Sequence, residues 1–389
     1  MNTRRDRLSR KVVETPPSGI RKFFDLVIGR DDVISLGVGE PDFPTPWLMR
    51  EEAFYHLEKG RTSYTSNWGL LELRTEIARY LERYGMYYNP QNEILVTIGG
   101  SEAVDAVLKA ILNPTDEIIV AEPCYVSYQP LAALCDATVV HLDTSATDFY
   151  PTAAAIERLV TPKTKALMLC SPNNPTGRMI PAAELEKIAA VVQAHELWCV
   201  SDEIYSELVY DSKKHVSIGS LPGMKDYAVI INGFSKAFAM TGWRVGYFAA
   251  PAELTAEVCK LHQYAAICAP IMSQYAAAEG LRHGWAEVEK MRVSYQQRRN
   301  FMKKAFDDIG LPCTTPDGAF YLFVDVSGTG LSGEAFATQL IEQQHVAVVP
   351  GACFGSGGEK FIRCCYATDI NKIKEALVRI ALFVRNVKR

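Results

Sequence analysis

Residues 94–111 read ILVTIGGSEAVDAVLKAI, and the fold class is decided here. Ile94 to Ile98 is a short apolar run of strand length, stopped by Gly99, Gly100 and Ser101. Beyond it Ala103, Val104, Val107, Leu108 and Ile111 recur at helical spacing, so the segment reads as a buried strand, a tight turn and an amphipathic helix. The same alternation continues downstream. EIIVAE (117–122), KALMLC (165–170), LWCVSDE (197–203), AVIINGF (228–234) and VGYFAA (245–250) are strand candidates. ELEKIAAVVQAH (184–195) is the clearest helix among them. Strands alternating with helices predict an α/β domain with a mostly parallel central sheet flanked by helices.

Past Pro270 the pattern changes. Residues 273–310 are rich in charge and predict one long helix that bridges two lobes. After it AFYLFVDV (319–326), VAVVPG (346–351) and FIRCCYA (361–367) alternate with two helical segments, which predicts a smaller α+β domain. The segment before Trp47 is too rich in Pro and Gly to be core and is expected to pack on that smaller lobe. The boundaries expected are 46–279 for the large domain, with 1–45 and 280–389 forming the small one. A chain of 389 residues suits two domains.

Composition narrows the function classes. A net charge of −4 and 22% charged residues carry no asymmetry of the kind nucleic-acid binders show. The only basic run, Arg4, Arg5, Arg7, Arg10 and Lys11, is expected to be a solvated terminus. No apolar stretch approaches the ~18 residues of a membrane helix, and the polar N-terminus has no apolar signal region. The ten cysteines are scattered, without the paired C-x-x-C or His spacing of a metal site. The expectations are a cytoplasmic protein with reduced thiols, no metal, no nucleic-acid partner and no membrane partner.

The sharpest chemical signal is GFSKAFAMTGWRVG, Gly233 to Gly246. A lysine at a strand end among apolar neighbours is a costly place for a charge. Burial lowers its pKa and makes the amine a nucleophile toward carbonyls. Ser235 and Arg244 flank Lys236 with a hydroxyl and a guanidinium suited to a phosphate. Gly99-Gly100-Ser101-Glu102 opens a helix, where free N–H groups and the dipole favour an anion. Neither this loop nor GVGEPD (37–42) has nucleotide-binding spacing. Read alone, Asp202 in SDEIY (201–205) fits a helix cap as well as a catalytic role. SPNNPTG (171–177) alone is a turn. Tyr125 in PCYVSY (123–128) alone would be core. Arg363, within the apolar run of FIRCCYAT (361–368), needs an anionic partner or a route to solvent.

From near Ser35 to the C-terminus these motifs, in this order, resemble the fold type I pyridoxal-phosphate aminotransferases, in particular the aspartate/aromatic amino-acid branch. The resemblance implies that Lys236 holds pyridoxal 5'-phosphate covalently and acts as the base. Ser235, Arg244, Gly100, Ser101 and Glu102 are then assigned to the cofactor phosphate, the last three through main chain or hydroxyl. Asp202 pairs with the pyridine nitrogen, Tyr205 and Asn174 reach the ring oxygen, and Tyr125 stacks on the ring. Arg363, with Asn174 and the Gly39 backbone, takes the substrate α-carboxylate. Tyr64 in SYTSNWGLLELR (63–74) is implied to reach the phosphate of a neighbouring subunit, which makes a homodimer with shared active sites the expected assembly. The implied activity is ping-pong transfer of an amino group from an aromatic amino acid or aspartate to a 2-oxo acid such as 2-oxoglutarate. Ser101 stands where some aspartate-using relatives carry a lysine. GIRKF (19–23) resembles relatives acting on aromatic or diaminopimelate-type substrates, with Arg21 or Lys22 over the pocket. A C–S β-lyase, a diaminopimelate-type aminotransferase and a silent cofactor-binding regulator are the competing readings.

Overall fold

The computed structural model describes residues 7–20, 29–30 and 32–388. Arg21 and Lys22 lie outside the described residues, as do Arg4 and Arg5 of the basic run. Arg7, Arg10 and Lys11 are exposed. None of the helices among the described residues is long and apolar enough to cross a membrane.

A seven-stranded sheet forms the centre. Its strands are β2 (Ile94–Thr97), β3 (Glu117–Glu122), β4 (Thr138–Asp143), β5 (Thr164–Cys170), β6 (Trp198–Asp202), β7 (Ala228–Gly233) and β8 (Gly246–Ala249). They lie side by side in the order β2-β8-β7-β6-β5-β3-β4. Neighbours run parallel from β4 to β7, while β8 is antiparallel to both β7 and β2. Alternate residues of one strand enter different cores. Ile94 and Val96 join Leu167, Ile188 and Ile230 on one face, and Leu95 joins Val104, Ile118, Met168 and Phe248 on the other. Both faces are thus covered, which is why these strands read as continuous apolar runs. β4 has no such run because it is an edge strand with half its residues in water, and the sequence reading passes over it.

A third core belongs to the C-terminal part. Tyr295, Met302, Phe306, Phe320, Leu322, Ile362 and Phe383 pack there around the antiparallel strands β9 (Tyr321–Asp325), β11 (Val349–Pro350) and β12 (Phe361–Cys365). Three expectations need correcting. VAVVPG is two strands: β10 (Val346–Ala347) pairs with β1 (Ile34–Ser35), whereas β11 pairs with β12. The expected bridge helix is two helices, Ile271–His283 and Trp285–Ile309, broken at Gly284, where an added Cβ would meet the Gly280 carbonyl at 2.8 Å. Of the segment before Trp47, β1 docks on β10 and Leu36 is fully buried in the C-terminal core, so it contributes to the core after all. The helix Arg10–Glu14, by contrast, packs on the helix Tyr128–Leu134 of the large domain.

Sheet register decides where chemistry gathers. Cys170 at the end of β5 lies opposite Asp202 at the end of β6, and Asp202 lies opposite Ile231 of β7. Because β8 runs the other way, its first residue Gly246 pairs with the last residues of β2 and β7, Thr97 and Gly233. The loops after β2, β5, β6 and β7 and the loop before β8 therefore meet along one edge. Open α/β sheets bind ligands at this carboxyl edge.

Candidate active site

A cavity of about 840 Å³ opens at that edge. Lys236, three residues past β7, projects into it, and its Nζ donates to the Gly39 carbonyl at 2.6 Å. The amine has aromatic neighbours, lying 5.7 Å from the centroid of Phe320 and 6.0 Å from that of Tyr205. Burial lowers its pKa to about 8, helped by the positive charges of Arg363 and Arg244. An amine in this state is a better nucleophile and base near neutral pH than an exposed lysine.

Asp202 faces the same cavity from the end of β6. Tyr128 donates to its Oδ2 at 2.6 Å and the Ile204 N–H to its Oδ1 at 3.2 Å. Burial nevertheless raises the carboxyl pKa. A cationic N–H in the cavity would reverse that shift, because an opposite charge favours the ionised form. Tyr205 is buried beside it, its hydroxyl 2.8 Å from that of Tyr321.

The far end is built for an anion. The helix Gly99–Ile111 begins directly at the cavity, and Gly100 and Ser101 line it. Ser235 and Arg244 approach from the opposite loop. Arg244 sits in the left-handed region at φ 52°, held by a bond from Nη1 to the Thr241 carbonyl at 3.0 Å. Its guanidinium lies so close over Gly99, at φ 74°, that a Cβ there would be 2.6 Å from Nη2. Gly246 is forced by the same closeness, since a Cβ would sit 2.6 Å from the Gly100 nitrogen. The Glu102 side chain is not part of this cup. It accepts from the Ile98 N–H and from Nδ1 of buried His262 at 2.7 Å. Only the Glu102 main chain remains for an anion, which suits a carboxylate that would repel one.

The wall contributed by β12 carries Arg363, 2% exposed. Its Nη1 donates to Asn174 Oδ1 at 2.9 Å and its Nη2 to the Gly37 carbonyl at 2.6 Å. Nε has no hydrogen-bond partner among the described residues, and no carboxylate there forms an ion pair with Arg363. A buried guanidinium held only by neutral oxygens is primed for a bidentate anion.

The cavity thus gathers Gly39, Gly100, Ser101, Tyr125, Asn174, Asp202, Tyr205, Ser235, Lys236, Arg244 and Arg363 from the sequence reading. Tyr64 is not among them; it is 79% exposed on the outer surface of the chain. Two tyrosines went unnoticed in the sequence. Tyr128 closes the quoted PCYVSY motif, and Tyr321 opens a strand whose next three residues are core. The apolar Ile20, Val38 and Val126 complete the walls. The donor set fits pyridoxal phosphate: an anion cup, a lysine amine of lowered pKa, and a buried carboxyl whose pKa burial raises. Among the described residues no group of His, Cys, Asp and Glu is placed to hold a metal ion.

Comparison with known proteins agrees in extent and kind. The family model for aminotransferase class I and II matches residues 31–380. YugH of Bacillus subtilis is 52% identical over 97% of this chain and 98% of its own length. Aromatic-amino-acid aminotransferase 2 of Thermococcus litoralis is 40% identical over 98% of this chain and 99% of its own. Among solved structures, the aspartate aminotransferase from Thermus thermophilus with maleate superimposes with a TM-score of 0.92 at 36% identity, covering 96% of this chain and 99% of that one.

Proposed function

Because the chain belongs to the class I and II aminotransferases, we propose that its amino donor is an aromatic amino acid or aspartate and its acceptor a 2-oxo acid such as 2-oxoglutarate. The protein is a pyridoxal-phosphate-dependent aminotransferase that exchanges amino groups between amino acids and 2-oxo acids. The bound cofactor supplies a carbonyl carbon that takes the amino group and a conjugated ring that withdraws electrons from the substrate Cα.

The observation that carries the assignment of roles is the meeting of a neutralisable lysine, a buried carboxyl and an unpaired guanidinium in one cavity. Lys236 would hold the cofactor through Nζ and, when free, would take the Cα proton on the same atom. Asp202, oriented by Tyr128, would keep the pyridine nitrogen protonated. Tyr205 and Asn174 would donate to the ring oxygen, with Tyr125 beside the ring. Gly100, Ser101, the Glu102 main chain, Ser235 and Arg244 would hold the phosphate. Arg363 grips the α-carboxylate, and the Gly39 backbone limits it on the other side. Two half-reactions sharing one site give ping-pong kinetics.

The donor preference rests on the walls. Ile20, Val38, Val126 and Tyr125 suit an aromatic side chain, and Ser101 offers a hydroxyl where a second carboxylate would gain from a cation. The relatives named as aromatic and as aspartate aminotransferases support the pair. The division into 46–279 and 1–45 with 280–389 is supported by a core built mainly of C-terminal residues, which Tyr205, Leu208, Tyr210 and Ala239 join from the large domain. A cytoplasmic homodimer is the assembly proposed. The exposure of Tyr64 and of Trp47, Phe54 and Tyr264 supports a partner surface, with Tyr64 completing the neighbour's phosphate site.

The test is the visible spectrum of the loaded enzyme after single additions of phenylalanine, tyrosine, aspartate, glutamate and cystathionine. Loss of the visible band with an aromatic amino acid or aspartate, and its return with 2-oxoglutarate, is the result expected. Loss with none of these donors sinks the substrate proposal. Pyruvate and ammonia from cystathionine, with the band unchanged, select the β-lyase instead.

A further inference from the structure

Tyr321 is the first residue of β9 and pairs with Cys365 of β12, while Phe323 pairs with Arg363. On an antiparallel ladder, alternate residues share a face, so the Arg363 side chain leans diagonally across Tyr321. Its guanidinium carbon lies 4.3 Å from the Tyr321 ring centroid and 4.8 Å from that of Phe354. The Tyr321 hydroxyl is 2.8 Å from the Tyr205 hydroxyl, and both rings are buried. A Cβ added at Gly39 would run into the Tyr321 oxygen, and the Gly39 carbonyl takes the Lys236 amine. One side chain therefore touches the lysine's acceptor, the tyrosine facing the ring and the arginine facing the carboxylate.

We propose that Tyr321 is a positioning residue that joins the two halves of the site, its hydroxyl strengthening Tyr205 as a donor and its ring fixing the guanidinium of Arg363. The proposal rests on the roles given above to Tyr205 and Arg363. When the Tyr205 proton is committed to the ring oxygen, its own oxygen must accept, and Tyr321 is then the donor. A hydroxyl that accepts a hydrogen bond donates more strongly, because the two bonds polarise one another. The ring acts differently. A planar guanidinium seated on an aromatic face loses its rotational freedom, and a desolvated cation gains from the ring's negative face. The two contributions are separable, since phenylalanine keeps the ring and removes only the hydroxyl.

The experiment uses the loaded enzyme with Tyr321→Phe, Tyr321→Leu, Tyr205→Phe and the Tyr205→Phe/Tyr321→Phe double variant. The first readout is the pH midpoint of the visible band of the lysine-bound cofactor. Weaker donation to the ring oxygen leaves it more basic, so Tyr321→Phe moves the midpoint upward by roughly half a pH unit. Tyr205→Phe moves it further, and adding Tyr321→Phe to that background moves it no more. The second readout is the Kd of the unreactive carboxylate 3-phenylpropionate, followed by the same spectrum. Tyr321→Phe holds it within about twofold, and Tyr321→Leu weakens it about tenfold. An unchanged midpoint in Tyr321→Phe, or an equal extra shift in the double variant, overturns the hydroxyl role. Undiminished affinity in folded Tyr321→Leu overturns the ring role. A parent chain that develops no visible band at all contradicts the roles of Lys236 and Tyr205 instead, so the two failures are told apart.

Discussion

The cofactor-facing and carboxylate-facing walls of the cavity are built by different means. The first is the edge of one sheet: Cys170, Asp202, Gly233 and Gly246 are placed by strand register, Lys236 follows Gly233 by three residues and Arg244 precedes Gly246 by two. The second is assembled across the chain. Arg363 reaches Asn174 across 189 positions and Gly37 across 326. Register fixes the first wall as firmly as the core beneath it. The second rests on the β9–β12 ladder, which carries Arg363, and on one hydrogen bond to Asn174 that crosses between the lobes, a contact that opens at lower free energy than a core strand. Loss on the first wall is expected in kcat and in the spectrum; loss on the second is expected in KM.

The largest break is Lys236→Ala, which on the proposed roles removes both the covalent anchor and the base. It should lower kcat by at least about 10⁴-fold and abolish the visible band, measured by turnover and absorbance. Asp202→Asn removes the carboxylate proposed to pair with the ring nitrogen, and kcat should fall by roughly 10²–10³-fold with KM little changed. Arg363→Gln tests the other wall. It should raise KM for both amino acid and 2-oxo acid, with kcat/KM down about 10²-fold and the visible band intact. If Arg363→Gln instead destroys the band and spares KM, the contrast between the walls is wrong. Tyr128→Phe should cost about tenfold in kcat, since it removes one hydrogen bond to a carboxylate that keeps its other contacts.

A pH measurement sharpens the same contrast. The neutral amine is the reactive form, so in the cofactor-free chain reaction of Lys236 with an amine-selective reagent should rise with pH through about 8. Ordinary exposed lysines should follow near a pKa of about 10.4. Peptide mapping of the modified sites gives both curves. Arg363→Gln removes one of the positive charges that help lower the Lys236 pKa, so its curve should move to higher pH.

Legibility in the sequence followed the same division. The buried strands were readable because two covered faces demand unbroken apolar runs, and EIIVAE coincides with β3 to the residue. β4 was missed because an edge strand needs no such run. The long helix reads as unbroken in the sequence because its charge pattern continues through Gly284, the glycine that ends one helix and opens the next. On the first wall, lysine and acid stand out as charges at the ends of apolar strands. On the second, Tyr321 looks like one more core aromatic. Its hydroxyl becomes visible only once the fold sets it against Tyr205, more than a hundred positions away.

The most direct test of the account is to reduce the loaded enzyme with borohydride, digest it and locate the cofactor by mass spectrometry. The account predicts one cofactor per chain, fixed as a stable secondary amine on Lys236, and none in Lys236→Ala. Cofactor fixed on any other lysine, or equal labelling in Lys236→Ala, would contradict it.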